Sequence, residues 1–385
     1  MNKQNTFLVL IISLNIIICG CHQQDEIKHT IAAIEEGKFH GWPANNGIWQ
    51  WENEILAGYT QGDFSVKAGH NISGIQKSLF SRSLDGGNTW KMFDPDNFLD
   101  DENIQWLPQG KKHLEAPLNF NHKGFALRFF ATGYHGNDDP EGGFYYSYDR
   151  GSTWQGPYYL GGLSNYEELN GKDITARTDY IITGGNELYA YISANPKNDR
   201  NNRIACIKTK DGGMSFEFVS WVTPLEEDYN AIMSSTIQLS ENKFVLAHRK
   251  RYFGVETGIK NTIEALVSED YCRTWKLLGT VKYFENSSNP PALLGLKDGR
   301  LVCIYGDRDN SSMSGKYSND GGVTWGEEFI IRDNFKDMDS TSDFGYPRLM
   351  QRKDGKLVAI YYWASRDNLQ QHIAVSIWNP QGIKK

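Results

Sequence analysis

Six times along this chain an apolar run, a short polar turn and a second, denser apolar run follow one another. They read NGIWQW-EN-EILAGYT over 46–60, APLNF-NHKG-FALRFFATGY over 116–134 and ARTDYIIT-GGN-ELYAYISAN over 176–195. The other three are SSTIQL-SENK-FVLAHRKR over 234–251, PPALLGL-KDGR-LVCIYGDR over 290–308 and YPRLMQ-RKDGK-LVAIYYWAS over 346–365. Short, nearly continuous apolar runs bounded by Gly, Asn and Asp predict strands buried on both faces. Each unit then supplies strands 1 and 2 of a small antiparallel sheet.

Between these hairpins an octet recurs. Ser-x-Asp-x-Gly-x-Thr-Trp stands intact at Ser83–Trp90, Ser147–Trp154 and Ser318–Trp325. It is milder at Thr209–Phe216, and at Ser268–Trp275 Cys272 replaces the glycine. The aspartates Asp85, Asp149, Asp211, Asp270 and Asp320 lie 64, 62, 59 and 50 residues apart, a period of one propeller blade with its loops. In each octet the carboxylate can accept N–H groups of its own turn, and the glycine supplies a positive φ. The aromatic residue starts the next strand, so the octet joins strands 3 and 4.

Five such octets are the Asp-box of the sialidase (neuraminidase) superfamily, which the chain resembles from about Phe39 to its C-terminus. The resemblance implies an all-β fold, a six-bladed β-propeller occupying 29–385. Six hairpins against five boxes leave the last blade one strand short, because QHIAVSIWNP suffices only for its third strand. The segment His29–Glu36, HTIAAIEE, is expected to pair with Ile373–Trp378 and close the ring, removing two open edges. Its alanines and glutamates also allow a short helix.

Connections 1–2 and 3–4 leave a propeller on one face, and 2–3 and 4–1 on the other. Boxes and KDG turns therefore share a face, and functional side chains are expected on the opposite one. Candidates there are Trp42, Asn46 and Asp63 from blade 1, Arg177 and Asp179 from blade 3, and Arg249 from blade 4. Blade 5 adds Arg308, the last blade Tyr346 and Arg348, and Glu264 lies near the start of a third strand. Guanidinium forks suit carboxylates because they bond them bidentately. The sialidase resemblance implies a substrate carboxylate clamped by three arginines, here drawn from Arg177, Arg249, Arg308 and Arg348. It also implies Tyr346 as nucleophile, Glu264 as its carboxylate and Asp63 as acid/base. A phenol suits an anionic substrate, which a carboxylate nucleophile would repel. Asp179 shares a strand face with Arg177 and is a candidate partner or salt bridge, Trp42 could stack on a sugar, and Asn46 could bond its hydroxyls.

The chain departs from the superfamily before blade 1. A Phe-Arg-Ile-Pro motif is replaced by Phe39-His-Gly-Trp-Pro43, with no arginine. Either another arginine substitutes or the ligand is not sialic acid. The reading is a sialidase-like exo-glycoside hydrolase acting on extracellular glycans. The alternatives are a glycosidase or polysaccharide lyase of other specificity, and a non-catalytic glycan-binding propeller.

Composition narrows this further. With 13% aromatic residues and 38 glycines, the chain suits short strands and tight turns. A net charge of −7 without a basic block argues against nucleic acid. The histidines lack metal-ligand spacing, and neither a phosphate loop nor a serine elbow occurs, so neither metal nor cofactor is expected. At the N-terminus Lys3 precedes an apolar run, Phe7 to Ile18, and Ile18-Cys19-Gly20-Cys21 resembles the bacterial lipobox. This implies a signal peptide over 1–20, lipidation at Cys21, a tether over 21–28, and a lipoprotein of the outer membrane, cell surface or periplasm held by its lipid. An uncleaved membrane anchor is the alternative. Beyond it only Cys206, Cys272 and Cys303 remain, allowing at most one disulfide.

Overall fold

Five of the six apolar hairpins form both strands where the pattern puts them. The computed structural model describes residues 26–380 apart from 68, 96–109, 131–141, 197–200, 227–228, 253–260, 337 and 339–341. These residues make six antiparallel sheets arranged as a six-bladed β-propeller. Blade 3 runs Lys172–Ile182, Leu188–Pro196, Arg203–Thr209 and Glu217–Trp221. Blade 4 runs Asn230–Ser240, Lys243–Arg251, Asn261–Ser268 and Lys276–Phe284. Blade 5 runs Ala292–Gly295, Leu301–Asp307, Ser312–Ser318 and Phe329–Arg332. The signal, lipidation and most of the tether lie outside the described residues. Among those described, no helix is long and apolar enough to cross a membrane.

The last blade holds Gly345–Gln351, Leu357–Ser365 and Asn368–Trp378, and its fourth strand is Lys28–Ala33. His29 lies opposite Ser376 and Ile31 opposite Ala374, so the first and last of the described strands close the ring. The segment is a strand and not a helix. It stops at Ala33, short of Glu36, because the chain turns at Gly37, where φ is 77°.

Blade 1 is more elaborate than its pattern. Ile48–Trp51 pairs with the first half of Glu54–Phe64, and Lys38–Gly41 pairs with its second half. Ile72–Ser83 and Lys91–Phe93 complete that sheet. Between the two inner pieces the chain makes one helical turn, Pro43–Asn46.

Blade 2 corrects an expectation. Its sheet has Ala126–Phe130, Gly143–Ser147 and Gln155–Tyr158, and 116–120 is not the strand its apolar pattern predicts. Pro117 has no N–H to give a ladder. The amides of Leu118 and Phe120 instead donate to Gly212 O at 2.9 Å and Gly185 O at 2.6 Å. Leu118 and Phe120 are buried all the same, in a core shared with Phe144 and Phe216. The pattern located burial correctly, but the partner is blade 3.

All five boxes form. In the first, Asp85 accepts the amides of Asn88 and Thr89 at 3.0 and 2.9 Å and the Thr89 hydroxyl at 2.7 Å. Its limited burial would raise the carboxyl, but these hydrogen bonds and that of Ser83 outweigh it and hold it at about 2. Four of the five boxes also bond the hairpin turn beside them: Gly86 N to Asn53 O, Arg150 N to Gly124 O, Gly212 N to Asn186 O and Tyr271 N to Asn242 O. Boxes and hairpin turns therefore share one face.

The box turn needs two consecutive left-handed residues. Gly86 and Gly87 supply φ of 70° and 92°, whereas Tyr271 and Cys272 are forced to 62° and 64°. Cys272 is compensated, because its buried Sγ lies 3.4 Å from the Tyr191 hydroxyl. Exposed Tyr271 has less to lose, and left-handed backbone costs a side-chain-bearing residue roughly 1–2 kcal/mol. Tyr271→Gly is expected to raise stability by about 1 kcal/mol, after glycine's own entropy cost, read as a higher urea midpoint at unchanged slope. A lower midpoint would refute this account of the turn. Cys206, Cys272 and Cys303 are all free and buried.

Candidate functional site

The helical turn of blade 1 sits where five inner elements meet, and its neighbours define the floor of the site. Pro43 opens it with the φ a helix requires. Trp42 before it is left-handed at 58°, and Gly47 after it has φ of 103°. A Cβ at Gly47 would lie 2.7 Å from Trp49 and 2.9 Å from Thr178, so only glycine fits. The Asn46 amide donates to Thr60 Oγ1 at 3.2 Å and accepts from Arg128 at 2.5 Å. Arg348 donates to the carbonyls of Ala44 and Thr178.

This placement corrects three expectations of substrate contact. Asn46 is buried and spends its amide on Thr60 and Arg128. Arg348 fastens the turn to blade 3. Asp179 is buried and accepts the amide and hydroxyl of Thr236 at 3.1 and 2.9 Å. Burial raises its carboxyl against the pull of Arg348. Together they cross-link blades around the axis.

Tyr346 stands at the beginning of the last inner strand, with φ of 51°. Four hydrogen bonds at and around it fix it there. Its amide donates to Asn289 Oδ1 at 3.1 Å, and the Asn289 Nδ2 donates to Phe344 O at 3.2 Å. Arg308 donates to the same carbonyl at 3.0 Å and to the Tyr362 hydroxyl at 3.0 Å. Gly345 has φ of 109°, and a Cβ there would meet Asn289 Oδ1 at 2.6 Å. A bulky residue held left-handed is strained, and such residues cluster at functional sites. Trp42 and Met233, with φ of 58° and 61°, share the buried cluster of Tyr346.

The charge around Tyr346 is cationic. Burial pushes its phenol up, but the guanidiniums of Arg249, Arg308 and Arg177 outweigh burial, and Arg249 also hydrogen-bonds it. The phenol is held below its ordinary value. The three arginines come from blades 4, 5 and 3, so one expected site group is brought together: Tyr346 with Arg177, Arg249 and Arg308.

Two other expected residues are not placed with it, and a third, Trp42, shares its cluster but is closed off. The Asp63 side chain is 57% exposed and paired with Lys38 at 2.7 Å. Glu264 lies 3.4 Å from Lys250 and 3.8 Å from His248, and the groups acting most strongly on Tyr346 are all arginines. Trp42 is buried against Phe39 and edge-on to His70, with ring centres 5.2 and 5.0 Å apart. It offers no open face for a sugar to stack on.

His70 was missed, and Asp343, a position of the last blade expected on the same face as Tyr346, was given no role. Asp343 is fully buried, and its Oδ1 lies 2.7 Å from His70 Nδ1 and accepts the Tyr362 hydroxyl at 2.6 Å. Its Oδ2 accepts Asn71 N at 3.1 Å. Burial raises this carboxyl, but His70, Arg308 and Tyr362 outweigh burial and hold it below its ordinary value. The signal was available: His70 lies in the 2–3 connection of blade 1, seven residues past Asp63 at the end of strand 2.

Comparison with known proteins agrees with this architecture. Among curated proteins, none matches the chain in sequence. A solved protein of unknown function from Dyadobacter fermentans is 17% identical with a TM-score of 0.65, covering 91% of this chain and 98% of that one. The Hadza microbial sialidase Hz136 is 18% identical with a TM-score of 0.61, over 90% of this chain and 66% of that one. An α-L-arabinanase of Penicillium chrysogenum, complexed with arabinobiose, is 16% identical with a TM-score of 0.57, over 93% and 100%. These likenesses are of fold. The model of the BNR repeat-like domain matches residues 77–359, most of the propeller, and the chain belongs to that family.

Proposed function

We propose that this protein is a sialidase-like glycoside hydrolase acting on sugars that carry a carboxylate, with Tyr346 as the nucleophile. The observation that carries the reading is Tyr346 held left-handed at the start of the last inner strand, beside the Arg308 that bonds Phe344 O and Tyr362, with Arg249, Arg308 and Arg177 drawing its phenol down. Cations that lower a phenol's pKa make its phenolate available, the condition a tyrosine nucleophile needs. The same cations attract a substrate carboxylate, and Arg177 takes up the task of the arginine missing before blade 1. That solved sialidases and arabinanases share the propeller adds support of a general kind. The reading extends to the N-terminus: lipid on Cys21 would hold the enzyme at a membrane facing extracellular glycans.

The test is a screen of purified protein against aryl α-sialosides, aryl uronides, uronic-acid oligosaccharides and neutral arabinosides. Turnover of an acidic substrate supports the proposal, and turnover of the arabinosides alone overturns it. An unsaturated product from the uronic-acid oligosaccharides would replace hydrolysis by elimination. Each charge-assisted hydrogen bond is worth roughly 1.5–3 kcal/mol. Arg249→Ala is therefore expected to lower kcat/KM for the acidic substrate about tenfold or more, with little effect on any neutral one.

A further inference from the structure

Resting on the reading of Tyr346 as nucleophile, we propose that His70, oriented by Asp343, is the group that passes protons to and from the reacting oxygens. The Asp343 carboxylate is fixed from several sides, by His70 Nδ1, the Asn71 amide and the Tyr362 hydroxyl, with Arg308 Nη2 3.8 Å away. It has no exposed surface, whereas the His70 side chain is 40% exposed. A carboxylate on Nδ1 sets the ring's orientation and leaves Nε2 as the position that trades protons. The ring is also steadied edge-on by Trp42, at an interplanar angle of 81°.

The network then continues to the nucleophile. Tyr362 lies between Asp343 and Arg308, its ring centre is 5.8 Å from that of Tyr346, and Arg308 acts on the Tyr346 phenol. His70 and Tyr346 are thus held by one set of bonds, while Asp63 is turned to Lys38.

The proton balance closes. As the Tyr346 oxygen bonds the anomeric carbon and the glycosidic C–O bond breaks, the departing oxygen takes the Nε2 proton of imidazolium. In the second step neutral His70 takes a proton from water. The water oxygen bonds the anomeric carbon, and Tyr346 leaves as phenolate. Imidazolium and phenolate are restored.

A proton donor matters in proportion to how poor the leaving group is. The experiment compares nitrophenyl and alkyl glycosides of the acidic sugar the enzyme turns over, with His70→Asn, His70→Gln and Tyr346→Phe. Near-ultraviolet circular dichroism confirms that each variant folds. Both His70 variants are expected to lose about 10²–10⁴-fold on the alkyl glycoside and less than about tenfold on the nitrophenyl one. An equal loss on both substrates, or none, overturns the role of His70, and an inactive Tyr346→Phe would leave the proposed reaction standing. Conversely, full turnover by Tyr346→Phe overturns the nucleophile while leaving-group dependence in the His70 variants still identifies the proton donor.

Discussion

Tyr346→Phe is expected to lower turnover at least about a thousandfold while weakening binding of an acidic sugar less than about tenfold. The substitution removes one oxygen and leaves the ring, which packs at 65° to Tyr362. Asn289, Gly345 and the left-handed backbone that aim the side chain are untouched. The arginines lose a phenolate but keep their charge, so the carboxylate is still attracted. Steady-state kinetics beside calorimetric titration with the product sugar separate the two effects. Binding lost as completely as turnover would show that Tyr346 serves the clamp and not the chemistry.

The second large effect concerns the ring. Removing Lys28–Ala33 is expected to destabilise the protein by on the order of 3–5 kcal/mol, from a ladder whose bonds are worth about 1 kcal/mol each. It is also expected to cause concentration-dependent aggregation, since the exposed edge of Asn368–Trp378 is long and apolar. The strand does more than cover an edge. Ser81 Oγ donates to Ala32 O at 2.8 Å, Thr30 Oγ1 to Gly87 O at 3.2 Å and Lys28 Nζ to Asn88 at 2.7 Å. It therefore fastens the last blade to the first box. Urea unfolding of the full and shortened chains checks the prediction, and coincident midpoints would refute it.

The fold was legible because blade strands are local. A hairpin of apolar runs and an Asp-box both state their structure within a few residues, and their order fixes which face each turn takes. Residues 116–120 were misread because periodicity reports burial and not the partner. The site was legible only in part. Tyr346, Arg177, Arg249 and Arg308 followed from position on a strand and the sidedness of connections. Asn46, Asp179 and Arg348 have the same sidedness, yet Asn46 and Arg348 fasten the helical turn and Asp179 ties blade 3 to Thr236. Nothing along the chain announces that a helical turn will pack between several blades and need such ties. Asp63 ends strand 2 of blade 1 and His70 lies in the connection that follows, and only the folded chain shows which of them meets Asp343.

The closing strand has a consequence in time. Lys28–Ala33 is made about 335 residues ahead of its partner, Asn368–Trp378. At on the order of 5–20 residues per second, tens of seconds separate the two. Blades 2 to 5 pair strands close in sequence and can form as they appear, but the last blade must wait until Asn368–Trp378 has been made. Joining such distant segments costs a few kcal/mol more in loop closure than joining a hairpin, since that cost rises only with the logarithm of length. The ring is thus built as an open arc whose final step is a single long-range pairing, and that step is expected to set the slowest folding phase.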